Sequence, residues 1–161
     1  MMALSGCQEK TEYPNPAWSV LDADWRDYTQ LNQLEHACFQ PEDLWPFWDL
    51  IGVLTLPVMV RLKAVQDGKL VGFIGGERDA GKRLGWVTTL AVLPAYRRHG
   101  IALALLVHGE DALAMPRVRL SVRATNEAAI QLYESTGYIQ VDRWDKYYAG
   151  GEDALVFEKR R

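Results

Sequence analysis

The sequence predicts an α/β domain of the α+β kind: a mixed, mostly antiparallel central sheet with helices on its faces. Three observations carry that expectation. Strand-like apolar runs interleave with helical segments, Asp67-Gly68 joins two of the runs as a hairpin turn, and one strand passes through a cationic loop into a very apolar helix. With 161 residues, 48% hydrophobic and 24% charged, the chain has the size of one domain with a real core, expected over residues 17–161.

Each element follows from its local chemistry. Residues 1–16 carry Pro14, Pro16 and little periodicity, which predicts a disordered lead-in. Trp18 to Leu21 reads as a first strand. Asp22 or Asp24 is placed to cap a helix running to about Phe39, with Leu31, Leu34 and Cys38 at helical spacing. After Pro41, Glu42 to Leu50 predicts a second short helix rich in aromatics: Trp45, Phe47 and Trp48. Val58–Val65 and Leu70–Glu77 form a hairpin across Asp67-Gly68, a pair suited to a type I′ turn. A further connection at Asp79–Lys82 leads into the strand Gly85–Val92. The helix from Gly100 to about Leu113, the strand Val118–Arg123, the helix Asn126–Thr136 and strands near Tyr138–Trp144 and Ala154–Glu158 complete the order.

Composition excludes several classes of partner. A net charge of −3 argues against sequence-independent nucleic-acid binding. The longest apolar run, Leu50 to Val60, contains Pro57 and is too short to cross a bilayer. Leu4-Ser5-Gly6-Cys7 looks like a lipoprotein cleavage box, yet no basic region or apolar core precedes it. Cys7 and Cys38 imply no disulfide framework, so a reducing cytoplasm is expected, and the histidines have no metal-ligand spacing.

The segment Leu90-Ala91-Val92-Leu93-Pro94-Ala95-Tyr96-Arg97-Arg98-His99-Gly100-Ile101-Ala102 has the chemistry of a diphosphate cradle. Amides opening a helix lack intrahelical partners, and the helix dipole adds positive charge, so a phosphate is stabilised there without a metal. Arg97, Arg98 and His99 add donors, while Gly100 and Ala102 permit close approach. Taken alone, the same loop also reads as a surface turn with solvated arginines. No Gly-x-x-x-x-Gly-Lys-Ser/Thr occurs, which disfavours a P-loop.

The segment Asn126-Glu127-Ala128-Ala129-Ile130-Gln131-Leu132-Tyr133-Glu134-Ser135-Thr136-Gly137-Tyr138 follows about 25 residues on. Together the two segments resemble the GNAT superfamily of acetyl-CoA-dependent N-acetyltransferases, in order and spacing, over roughly residues 84–140. The family pattern is Val-x-Pro-x-x-Arg-x-x-Gly-x-Gly/Ala and then Asn-x-x-Ala-x-x-Leu-Tyr-x-x-x-Gly-Phe/Tyr. Within the family, Val122 to Tyr138, Lys146-Tyr147-Tyr148 and Gly151-Glu152-Asp153-Ala154 are most similar to the RimI-type ribosomal-protein alanine N-acetyltransferases.

The resemblance implies the acyl-CoA N-acyltransferase fold, in which two central strands splay and receive the pantetheine arm. The backbone of Leu90, Ala91 and Val92 would bind the pantetheine amides, and Arg98 to Leu103, with Arg97 beside them, would grip the pyrophosphate. The same strand residues also read as plain core. Asn126 is either a helix N-cap, a cofactor contact or both, and Gly137 reads as a left-handed helix terminator. Asn126 and Tyr133 fall on one helix face. The resemblance makes Tyr133 the general acid for the departing thiolate and places Tyr147 and Tyr148 beside an acceptor peptide; two half-buried loop aromatics are the other reading. His99 either touches phosphate or is solvated, and His108 reads as a surface residue.

One departure stands out. The branch carries a glutamate general base where this chain has Ser121, which takes up no proton near neutrality. Glu35, His36, Glu42 and Glu127 are replacement candidates that also read as solvated surface residues. An α-amine, with a pKa of about 7.7 to 8.0, is roughly a tenth unprotonated at neutral pH, against about one part in a few thousand for lysine at about 10.4. The expectation is therefore acetyl transfer to a protein or peptide N-terminal amine by direct attack in a ternary complex. The acceptor groove would lie between the aromatic N-terminal helices and the 146–151 loop. The alternatives are a small-molecule amine acceptor, in a pocket lined by Trp45, Phe47 and Trp48, and a non-catalytic acyl-CoA-binding domain.

Overall fold

The computed structural model describes residues 17–161, so the lead-in and Cys7 lie outside the described residues. Seven strands form one sheet in the order β1-β2-β3-β4-β5-β7-β6. They are β1 (Ser19–Asp22), β2 (Met59–Gln66), β3 (Lys69–Asp79), β4 (Leu84–Val92), β5 (Arg117–Arg123), β6 (Ile139–Trp144) and β7 (Ala154–Arg160). The β4–β5 pair is parallel and every other pair is antiparallel. Four helices cover the sheet: α1 (Tyr28–Cys38), α2 (Phe47–Thr55), α3 (Ile101–Leu113) and α4 (Glu127–Ser135).

The core divides by face. Leu31, Leu34, Leu50, Val53 and Leu54 from α1 and α2 pack with Phe73 and Ala91, whereas Ile101, Leu105, Leu106 and Leu113 of α3 pack with Ile74, Leu120, Phe157 and Tyr133 of α4. Adjacent strand residues Phe73 and Ile74 thus serve opposite clusters, as the two-residue period of a strand requires. Helix α3 sits so close to β3 that a Cβ on Gly109 would meet Ile74 Cδ1 at 2.6 Å.

The predicted turns match the observed ones. Asp67 and Gly68 both take positive φ, 51° and 74°, between paired Gln66 and Lys69, as a type I′ hairpin needs. Asp24 caps a 3-10 turn at Trp25–Asp27 in a reciprocal box with Asp27, and α1 starts only after it. The second helix departs from expectation. Instead of Glu42–Leu50, a 3-10 turn spans Pro41–Asp43 and α2 begins at Phe47. Pro46 disfavours helix for the residue before it and lies at the N-cap, so the helix is displaced towards Thr55.

Two features of β4 shape the site. Gly75 pairs with Thr89 and Gly76 with Val87, leaving Thr88 as an extra residue that bends the strand. Pairing with β5 stops at the same place, covering only Leu84–Val87 against Arg117–Leu120. Beyond Val87 the two strands diverge.

Candidate active site

The divergence opens a cleft of about 470 Å³ whose walls come from the end of α1, the far half of β4, the loop after it, the start of α3 and one face of α4. Leu93 N–H bonds the Val71 carbonyl, and Val71 lies one step beyond the Gly72–Val92 pair. Alternation along the strand then turns the main-chain groups of Leu90 and Val92 towards the gap and those of Ala91 towards β3. The Val92 carbonyl is already engaged, accepting from Arg97 Nε at 3.1 Å and from Cys38 Sγ at 3.4 Å.

At one end of the cleft the chain curls into an anion-sized concavity. Arg98 and Gly100 both have left-handed φ, 66° and 79°, and nothing lies within 4 Å of the position a Gly100 Cβ would occupy. The first helical bond of α3 runs from Ala104 N–H to the Gly100 carbonyl, and the N-cap has no side-chain acceptor. The amides of Ile101, Ala102 and Leu103 therefore remain free to meet an anion at the positive end of the helix dipole. Arg97 and Arg98 line the cleft, whereas His99 is exposed with its Nδ1 3.2 Å from the Tyr96 carbonyl.

At the other end stands α4. Asn126 accepts from Ala129 N–H at 3.2 Å as the N-cap, and Asn126, Ala129 and Tyr133 all face the cleft. Gly137, with φ 94°, closes the helix in the left-handed conformation. Tyr133 is 7% exposed and packs on Tyr138 and Phe157, with ring centroids 5.9 and 6.2 Å away. Burial pushes its phenol well above the usual range, and the nearby Tyr148 phenol adds to the effect.

Ser121 lies outside this lining, half-buried on the face of β5 that carries Arg119 and Arg123. The Tyr148 phenol lies nearby; burial raises its pKa and the Ser121 hydroxyl partly offsets the rise. Tyr148 stacks edge-on against exposed Tyr147 at 5.1 Å, which packs on Trp144 at 4.9 Å, and Trp144 faces Trp86 at 6.1 Å. An aromatic row therefore runs from Ser121 outwards along the sheet face.

Several expectations shift. Glu35 is not a solvated surface residue: it is 2% exposed, one carboxylate oxygen has no hydrogen-bond partner, and burial raises its pKa to about 7. His36, Glu42 and Glu127 are exposed, as their alternative reading had them. Trp45, Phe47 and Trp48 do not line this cleft; Phe47 packs on Tyr28 and Trp48 is 76% exposed. Cys38 and Phe39 line the cleft, which no sequence signal announced. Among the described residues no cluster of His, Cys, Asp or Glu could hold a metal, and no helix is long and apolar enough to cross a membrane.

Comparisons with known proteins agree with this geometry. Residues 17–138 match the Acetyltransferase (GNAT) family. The chain is 33% identical over 137 residues to the N-alpha-acetyltransferase RimI of Mycobacterium tuberculosis, covering 83% of this chain and 86% of the relative. It is 33% identical over 126 residues to the NAA10 catalytic subunit of the Arabidopsis thaliana N-terminal acetyltransferase A complex, covering 74% of this chain and 66% of that protein. With the N-alpha-acetyltransferase of Sulfurisphaera tokodaii, the share of the relative is 62%, so the chain spans slightly less than two thirds of these two proteins. The crystal structure of the Escherichia coli ribosomal-protein-S18-alanine N-acetyltransferase superposes with a TM-score of 0.79 at 26% identity, over 89% of this chain and 93% of that one. The fold of Arabidopsis thaliana NAA60, solved with acetyl-CoA, matches at the same TM-score. A sheet splayed beside free helix-opening amides, matched along its length by acetyltransferases, places the chain in the GNAT acetyltransferase family.

Proposed function

We propose that the chain is an acetyl-CoA-dependent N-acetyltransferase whose acceptor is the α-amine of a protein or peptide N-terminus. The observation that carries the reading is the continuity of one cleft, from the free amides of Ile101–Leu103, along the open edge of β4, to the Tyr133 phenol. Acetyl-CoA, when bound, would supply an acetyl thioester whose C–S bond breaks as the amine nitrogen bonds the acetyl carbon, the amine's surplus proton passing to solvent and the departing sulfur taking one up from solvent. The α3 amides, with Arg97 and Arg98, would hold the pyrophosphate, and the gap-facing main chain of Leu90 with the N–H of Val92 would orient the pantetheine arm as an added strand.

Tyr133 would present a neutral phenol to that sulfur. Because burial raises its pKa, full transfer to a thiolate, whose conjugate thiol titrates at about 8.5, is uphill. Its main contribution is a hydrogen bond that strengthens as negative charge grows on sulfur. The Ser121 hydroxyl takes up no proton near neutrality, and burial raises the Tyr148 phenol beside it. The acceptor must therefore arrive partly unprotonated, and that condition favours α-amines over lysine. The named N-alpha-acetyltransferase relatives support the same acceptor class. The reducing cytoplasm expected from cysteine usage remains part of this reading.

The test is an acetylation screen of N-terminal peptides beside lysine peptides, polyamines and amino sugars, read by mass spectrometry and by thiol release from acetyl-CoA. Peptide α-amines modified first support the reading. Preference for lysine or for small amines overturns the acceptor assignment, and tight cofactor binding without turnover overturns the catalytic one.

A further inference from the structure

Strand β5 presents Arg117, Arg119, Ser121 and Arg123 on one face. Arg117 and Arg119 both reach Glu158 on neighbouring β7, at 3.6 and 2.6 Å, and Arg117 also donates to the Lys82 carbonyl in the adjacent turn at 2.9 Å. Arg123 does something different. One guanidinium nitrogen donates to Asp43 in the 3-10 turn between α1 and α2, 80 residues away, and the other to Glu152 after the β6 strand at 2.7 Å, 29 residues away. The guanidinium carbon also lies 4.5 Å from the centre of the Tyr148 ring.

The loop that Arg123 reaches is preformed. Gly150 and Gly151 take left-handed φ, and Tyr148 N–H bonds the Glu152 carbonyl at 3.0 Å, so the turn returns Glu152 towards β5. Glu152 also accepts from Thr125 N–H at 3.1 Å and from the Thr125 hydroxyl, which joins the loop to the residue before the α4 cap. Two carboxylates from separate segments thus share one planar cation, whose forked guanidinium gives each a directional bond. Without the cation, the carboxylates would repel.

We infer that Arg123 is a positioning residue, which fastens the α1–α2 and β6–β7 connections to each other and holds Tyr148 beside Ser121. The acceptor groove is thereby closed on both sides by one side chain. The kinetic part of this inference rests on the proposed acceptor site; the structural part does not.

The experiment compares wild type with Arg123→Met, Arg123→Lys, Asp43→Asn and Glu152→Gln. Hydrogen exchange of the unliganded protein should show residues 39–46 and 145–153 losing amide protection together in Arg123→Met, by about tenfold, and one connection at a time in Asp43→Asn and Glu152→Gln. With a decapeptide bearing an N-terminal alanine, Arg123→Met should raise the peptide KM about tenfold, leaving kcat and the acetyl-CoA KM within about threefold. Arg123→Lys keeps the charge without the fork and should fall between. Protection lost from only one connection in Arg123→Met, or an acetyl-CoA KM rising in step with the peptide KM, overturns the clamp. If wild type leaves the peptide unmodified, the assignment of a peptide acceptor fails, and the exchange data still decide the clamp.

Discussion

Along β4 and the start of α3 the polar groups facing the cleft belong to the main chain, whereas on β5, outside the cleft lining, the polar cluster is made of side chains gathered from three distant segments. The first arrangement depends on backbone conformation: a bulge at Thr88, left-handed residues at Arg98 and Gly100, and an uncapped helix. It tolerates many side chains but few conformations. The second depends on which residues stand at Asp43, Ser121, Arg123, Tyr148 and Glu152, and it changes when any of them changes. The difference teaches how one fold keeps its cofactor while its acceptor varies.

Substitutions can break that division in order of expected effect. Tyr133→Phe keeps the packing on Tyr138 and Phe157 and removes only the hydroxyl, so kcat should fall about 100-fold with cofactor affinity unchanged; rapid-mixing kinetics and calorimetry read the two separately. A drop below about threefold would remove the phenol from the chemistry.

Glu35 sharpens the comparison by stability, because its helix ends in Cys38 on the cleft wall. Its folded pKa of about 7 lies above the ordinary 4.5, mainly through burial, which the nearby Trp45 backbone only partly offsets. The native chain then holds a proton that the unfolded chain releases. Its contribution is fully present below about pH 4.5 and is lost as pH rises to about 7. Glu35→Gln should stabilise the protein by about 2 kcal/mol at pH 8 and by almost nothing at pH 4.5, followed by thermal unfolding at both pH values.

Gly100→Val tests the main-chain half. A β-branched residue at a φ of 79° is strained by about 1–2 kcal/mol, and its side chain occupies the approach to the α3 amides. Coenzyme A should bind about tenfold more weakly, with the peptide KM unaffected. The smallest effect belongs to Ser121→Ala, which should leave kcat/KM within about twofold for an α-amine peptide. A large loss there would give the hydroxyl a direct role.

Local chemistry made the main-chain half legible. The turn at Asp67-Gly68, the cap at Asn126, the terminator at Gly137 and the loop into α3 each depend on residues within a few positions of one another. Where legibility failed, the cause was tertiary or a competing local rule. Pro46 overrode the apolar pattern that suggested a helix from Glu42. Glu35 reads as a surface glutamate until α1 packs and the connection carrying Trp45 folds over it. Arg123 sits inside a recognisable motif, yet its partners Asp43 and Glu152 are set by the meeting of two loops, and no spacing encodes that contact. The one available hint was the row of polar residues at alternate positions of β5.

The most direct measurement is a crystal structure of the protein with coenzyme A. Pyrophosphate oxygens should lie within hydrogen-bonding distance of the Ile101–Leu103 amides, the pantetheine arm in the gap beyond Val87, and the sulfur within hydrogen-bonding reach of Tyr133 Oη. A cofactor seated elsewhere on the sheet, or a sulfur out of reach of that phenol, would contradict this placement.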